Sequence, residues 1–329
     1  MRSNLNILRR DAPRPEIPVR PAILAFLEAT RRERTTMTQK GYRQRLLVFA
    51  DYCEERGTGL PSVNGRVVND FVEHLEKTHT PIKPGATQMS KSTLHGYVIA
   101  IKVWLHWCAD DQEVYGEFVD RDETRRIKLP KLDSVIVEPF SDTQVRAMLS
   151  ATQYEESEHM RTRAKAIVHV LWGTGIRAAE LCNLRLRDVH LVEGEDPYIK
   201  IVMGKGRKDR RIPLGPITRR KLSHYVETYR AEIPLTSPVF PNHARTEPLS
   251  ISGLEQLIER LGRHALIEGV RVSPHTFRHT FACNCMKSGM DIYTLQRLLG
   301  HTNTTTTERY LRSLGGDFDL ADLVRGLMR

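Results

Sequence analysis

Between Ser273 and Arg312 the chain reads SPHTFRHTFACNCMKSGMDIYTLQRLLGHTNTTTTERYLR, which places His275, Arg278, His301 and Tyr310 within 36 residues. No carboxylate is among the four, so one aromatic hydroxyl stands with cationic and neutral donors. That inventory suits an anion that receives a nucleophile. A phosphodiester attacked by an oxygen spreads negative charge over its non-bridging oxygens, and its catalysis is mostly positioning and charge stabilisation. Arg278 offers a planar fork that can bind two of those oxygens together, which a lysine cannot do. His275 lies three residues before it, so both side chains leave one face of a helix that Pro274 can open at its first position. Tyr310 is a poor nucleophile at its free pKa of about 10 and needs a base or an electropositive pocket. His275 or His301 can take that proton.

A metal reading competes with this one. His275 and His279 are spaced i, i+4 like zinc ligands, and His301 can supply a third. No HExxH carboxylate accompanies the pair, and Arg278 beside it would repel a dication, so no metal is expected.

The elements that must position these groups are legible from composition and pattern. With 329 residues, about two domains are expected. Net charge is +10 with 27% charged residues, which favours a polyanionic partner, nucleic acid ahead of membrane, over a merely solvated basic surface. Five scattered cysteines, Cys53, Cys108, Cys182, Cys283 and Cys285, suit reduced thiols packed in a cytosolic protein. The longest apolar run, AIVHVLW at 166–172, is too short to span a membrane, and no secretory leader is visible, so a soluble cytoplasmic protein is expected. Pro13, Pro15, Pro18 and Pro21 mark residues 1–20 as an extended arm.

Residues 21–120 carry helical stripes: Tyr42, Leu46, Phe49 and Cys53, then Leu94, Val98, Ile101, Leu105 and Cys108. Positive charge gathers beside them, and Lys40, Arg43, Arg45, Lys91 and Lys102 are candidate phosphate contacts that fix register without reading sequence. An ordinary solvated face is the alternative. Residues 121–140 lose helical period, carry two prolines and are basic, which marks a linker able to lie along DNA. From Ser141, an N-cap by its residue type, a second domain runs to 329. In TGIRAAEL, Arg177 stands where a turn becomes a helix, and Glu180 at i+3 can orient its guanidinium without occupying an anion site. Tyr198, Ile199, Ile201 and Val202, then GKGRKDRR, then Ile212 and Leu214, spell a hairpin. Its Lys205 can reach into a groove and protonate a departing alkoxide.

TGIRAAEL, the GKGRKDRRIPL hairpin, HTFRH and LGHTNTTTTERY together resemble, in order and spacing, the tyrosine site-specific recombinases or phage integrase family, with the two-domain organisation of its Xer-like members. The resemblance is strong over 141–329 and weaker over the helical 21–120 region, which is similar to the family's core-binding domain. It implies a mainly α fold with a small antiparallel β-sheet (α+β), two domains forming a clamp on double-stranded DNA. It implies that Arg177 and Arg278 hold the scissile phosphate, Lys205 is the general acid, His275 acts in proton transfer, and His301 donates to the phosphate. Tyr310, nine residues after His301, would form the 3′-phosphotyrosyl link, with Glu180 supporting Arg177. Ala179 departs from the Ser or Gly common there. No cofactor, ATP or metal is required, because one phosphoester is exchanged for another. The partners implied are a homo-tetramer or related recombinase subunits on two DNA sites. Leu320, Leu323, Val324 and Leu327 form one face of a C-terminal helix, 317–329, that would dock on a neighbouring subunit or on its own domain. A type IB topoisomerase-like enzyme acting on one duplex, and a DNA-binding protein without catalysis, are the competing classes. Integration or excision of a mobile element, and resolution, are both compatible.

Overall fold

The computed structural model describes residues 17–32, 34, 36–78, 89–132, 138–202, 209–244 and 247–300. The chain divides into two compact units, residues 1–134 and 135–329. Residues 1–16 of the expected arm and the expected docking helix 317–329 lie outside the described residues.

The first unit is helical: α1 Val19–Ala29, α2 Thr36–Glu55, α3 Gly65–Thr78, α4 Lys91–Asp110 and α5 Arg121–Arg126. Ser90 caps α4 by accepting the Thr93 amide at 3.1 Å. The stripes expected to be core are core: Leu46, Phe49, Cys53, Leu94, Val98, Ile101, Leu105 and Cys108 are buried, with Tyr42 packed at the margin. Aromatic side chains knit the helices, with Phe49 edge-on to Phe71 at 5.0 Å and to Trp104 at 6.1 Å.

Two boundaries differ from expectation. Helix α1 begins at Val19 and includes Pro21. A proline in the first turn costs no hydrogen bond, because that amide has no helical acceptor to lose. The segment 121–140 is also not uniformly a linker, since Arg121–Arg126 is a helix capped by Asp120, whose carboxylate accepts the Asp122 amide at 2.8 Å. Thr124 and Ile127 are buried against the first unit. Lys102, expected to face phosphate, donates instead to the carbonyls of Arg125 at 3.2 Å and Ile127 at 2.7 Å, closing the end of α5. Lys40, Arg43 and Lys91 are exposed, and Arg45 is half-buried where Gly41 and Gly96 leave room for its guanidinium.

The second unit runs α6 Asp142–Ala151, α7 Glu158–Thr174, α8 Ala178–Asn183, β1 Val189–His190, β2 Tyr198–Ile201, β3 Arg210–Pro213, α9 Pro216–Tyr229, α10 Ile251–His264, α11 Pro274–Lys287 and α12 Ile292–Leu299. Ser141 caps α6, as its residue type suggests, and does so in a reciprocal box with Gln144. The apolar run 166–172 is the buried middle of α7, which packs on α9 and α11. The three strands form an antiparallel sheet in the order β1-β2-β3, with Ile199 paired to Ile212 and Ile201 to Arg210. Ile199, Ile201 and Ile212 face the core, so the mainly α fold with a small antiparallel sheet is the one found. Phe277 of α11 meets Phe140 at 4.8 Å, and Thr280 accepts the Phe140 amide at 2.8 Å, which fixes α11 in this unit.

No disulfide joins any of the five cysteines. Burial pushes the thiols of Cys53 and Cys108 up to about 12, and those of Cys182 and Cys285 up to about 11, so they pack rather than react. Among the described residues no helix is long and apolar enough to cross a membrane.

Candidate active site

The site is built where two chain reversals meet. Helix α7 ends on Gly175, whose left-handed backbone (φ 59°) turns the chain sharply. Two residues later Arg177 starts α8, and its amide donates to Glu180 Oε2 at 2.9 Å while its Nη1 donates to Oε1 at 2.9 Å. The i, i+3 pairing expected from TGIRAAEL is therefore both a helix cap and a guanidinium brace. Helix α12 ends in the same way on Gly300 (φ 65°), leaving its last carbonyls aimed at the site.

Those carbonyls collect guanidiniums. Arg210 Nε donates to Leu298 O at 2.8 Å, Arg278 Nη2 to Leu299 O at 2.8 Å, and Arg177 Nη2 to Gly300 O at 2.8 Å. Arg278 Nη1 also donates to Gly175 O at 2.9 Å, tying the end of α7 to the end of α12. Arg177 and Arg278, distant in sequence, thus converge on successive carbonyls at the negative end of one helix. Arg278 is 3% exposed, whereas the Arg177 side chain is 38% exposed and open to a ligand.

Glu180 is shared. Arg210 Nη1 reaches its Oε1 at 3.0 Å and Nη2 its Oε2 at 2.7 Å. Burial pushes the Glu180 carboxyl up, but hydrogen bonds from Arg210, from the Arg177 amide and from the Arg177 side chain outweigh it and hold the pKa below the usual range. The carboxylate is therefore ionised at neutral pH. Three guanidiniums against one carboxylate leave an electropositive centre, suited to phosphate.

His275 is exposed at the second residue of α11, one turn before Arg278. His279 is buried, with Nε2 3.7 Å from Cys283 Sγ, so the zinc-like i, i+4 pair is split between surface and core. Among the described residues no cluster of His, Cys, Asp or Glu has the make-up of a metal site. Lys205, His301 and Tyr310 lie outside the described residues. Two of them adjoin the network in sequence: His301 follows Gly300, and Lys205 falls between Ile201 and Arg210, which pair across β2 and β3.

Sequence reasoning missed Arg210. The signal was strand alternation: Arg210 shares a face with Ile212, the core-facing register, and a cation placed there requires a carboxylate partner.

Gly175 offers a direct check on the convergence. A Cβ there would lie 2.4 Å from Phe281 Cδ1 on a backbone that side chains rarely adopt. Gly175→Ala is expected to destabilise the second unit by roughly 1–3 kcal/mol in urea unfolding. A wild-type midpoint would show that this turn is not held as described.

The model of the phage integrase family matches residues 139–315, more than half of the chain. Tyrosine recombinase XerA of Pyrococcus furiosus is 28% identical over 280 residues, covering 84% of this chain and 92% of the relative. A crystal structure of XerH site-specific recombinase bound to a palindromic difH substrate, in a post-cleavage complex, superposes with a TM-score of 0.69 at 20% identity, over 88% of this chain and 80% of that one. A lambda integrase tetramer bound to a Holliday junction gives a TM-score of 0.69 at 14% identity, over 95% of this chain and 82% of the integrase. At these identities the two structures speak for a shared fold.

Proposed function

The chain belongs to the phage integrase family, and from that premise we propose that it is a site-specific DNA recombinase that cuts and rejoins strands through Tyr310. The convergence of Arg177 and Arg278 on one helix end, with Glu180 as brace, is the observation that supports this most strongly. In this reading the two guanidiniums hold the scissile phosphate and stabilise charge on its non-bridging oxygens in the transition state.

The Tyr310 oxygen attacks phosphorus, forming a tyrosyl–phosphate ester to the 3′ end as the bond to the 5′ oxygen breaks. His275 or His301 accepts the phenol proton, and Lys205 gives one to the departing 5′ oxygen. One phosphoester replaces another, so no energy source is consumed. A 5′ hydroxyl from a partner duplex then attacks the link, releases Tyr310 and joins the new strand. Exchange of both strands requires two DNA sites and several protomers, proposed as a tetramer of this chain or a mixture with related subunits, in the prokaryotic cytoplasm or nucleoid. The exposed Lys40, Arg43 and Lys91, with Arg45, are proposed phosphate contacts of the first unit.

The test is covalent capture. Purified protein incubated with fragmented genomic DNA and stopped with detergent should yield adducts whose sequences share one site. Two duplexes carrying that site should then exchange flanks. Adducts scattered without preference, with relaxation of supercoiled plasmid but no exchange, would describe one-duplex strand passage and overturn the recombinase reading.

A further inference from the structure

Arg210 is the residue on which three separate pieces of the site depend, and nothing in the chemistry above uses it. Its guanidinium makes a fork to both oxygens of Glu180, and its Nε holds the carbonyl of Leu298 near the end of α12. It is also the first residue of β3, paired to Ile201 of β2, and the sequence between those two partners contains Lys205. Its side chain is 10% exposed, against 38% for that of Arg177. Arg210 is therefore withdrawn from any ligand, while Arg177 is presented to one.

The sharing of Glu180 gives this arrangement its consequence. Oε1 receives Nη1 of Arg177 and Nη1 of Arg210, and Oε2 receives the Arg177 amide and Nη2 of Arg210. Four donors in fixed directions leave the carboxylate no rotation that keeps them all. Glu180 is then a rigid brace, and what it braces is the guanidinium that faces solvent. Gly300 completes the seat, because a Cβ there would come within 2.8 Å of Arg210 Nη1. The fork is pressed against the reversal that leads directly into His301.

We propose that Arg210 is a positioning residue for strand cleavage: by clamping Glu180 and the end of α12 together, it fixes where Arg177 meets the scissile phosphate. It acts through Glu180 and the helix end rather than by touching DNA. A lysine in its place would keep a charge but not the planar fork that meets both Glu180 oxygens and the Leu298 carbonyl together. This role rests on the strand-transfer reading above.

The experiment compares wild type, Arg210→Gln and Arg210→Lys on a nicked duplex carrying the site recovered by covalent capture. DNA affinity, adduct formation rate and thermal unfolding are measured for each. Both variants should bind the duplex as wild type does and form adduct between about ten- and a hundredfold more slowly, the scale on which misplacing a reacting group acts. Arg210→Lys keeps the buried charge and guards against a variant that simply fails to fold. An unchanged adduct rate in both variants would overturn the role while leaving the recombinase reading intact. A rate that falls only in step with DNA affinity or with the folded fraction would overturn it too, reducing Arg210 to scaffold. Absence of adduct with the wild-type protein would remove the strand-transfer reading and this role with it.

Discussion

Tyr310→Phe is expected to leave no detectable covalent protein–DNA adduct and no recombinant product, with DNA binding unchanged. The substitution removes one oxygen and keeps the ring, so packing and the phosphate-binding arginines are untouched. What disappears is the atom that bonds to phosphorus. Without it the reaction has no covalent intermediate. The nearest competitor in sequence among the described tyrosines is Tyr293, which is 72% exposed on α12. Tyr293→Phe serves as the control and should form adduct at the wild-type rate. Detergent-resistant adduct with Tyr310→Phe, or its loss with Tyr293→Phe, would move the nucleophile elsewhere.

Arg278→Lys should lower the cleavage rate by about 10²–10³-fold, the effect of removing one well-aimed donor from a developing oxyanion. A guanidinium carries five donors in a plane and can hold backbone while addressing a phosphate; an ammonium is a single point. Arg278 is buried, and two of its partners, Gly175 O at 2.9 Å and Leu299 O at 2.8 Å, come from separate helix ends. Losing one of those bonds also costs about 1–3 kcal/mol, because a buried carbonyl is left without a donor. The two effects separate experimentally. Gly175→Ala disturbs the same junction without removing the guanidinium, so cleavage by folded protein should fall much less there than with Arg278→Lys. Equal losses in the two variants would mean that Arg278 serves architecture alone.

How much could be read beforehand depended on whether the governing interaction was local. Ser141 as a cap, Arg177 with Glu180, and Pro274 at the head of α11 all act within one helical turn, so residue type and spacing revealed them. The hairpin was legible because Ile199, Ile201 and Ile212 keep a strict two-residue period toward the core. Helix α5 was not, since a six-residue basic segment has no apolar period, and its stability comes from Asp120 at one end and Lys102 of α4 at the other. Lys102 looked like a phosphate contact for the same reason: a lysine that caps a helix and one that meets solvent have the same spelling. Arg210 needed a partner 30 positions away, and no local pattern announces Glu180 as that partner. The missed features are those decided by tertiary burial of charge.

The carbonyls of Leu298, Leu299 and Gly300 also bear on what the protein is like before it meets DNA. Like charges crowded into one place push apart, and a pocket that relied on its ligand to quiet that repulsion would be open or collapsed until the ligand came. Here a helix terminus serves as a resident surrogate anion, so folding by itself sets the spread of the arginines. An arriving duplex then meets arginines already gathered around one helix end.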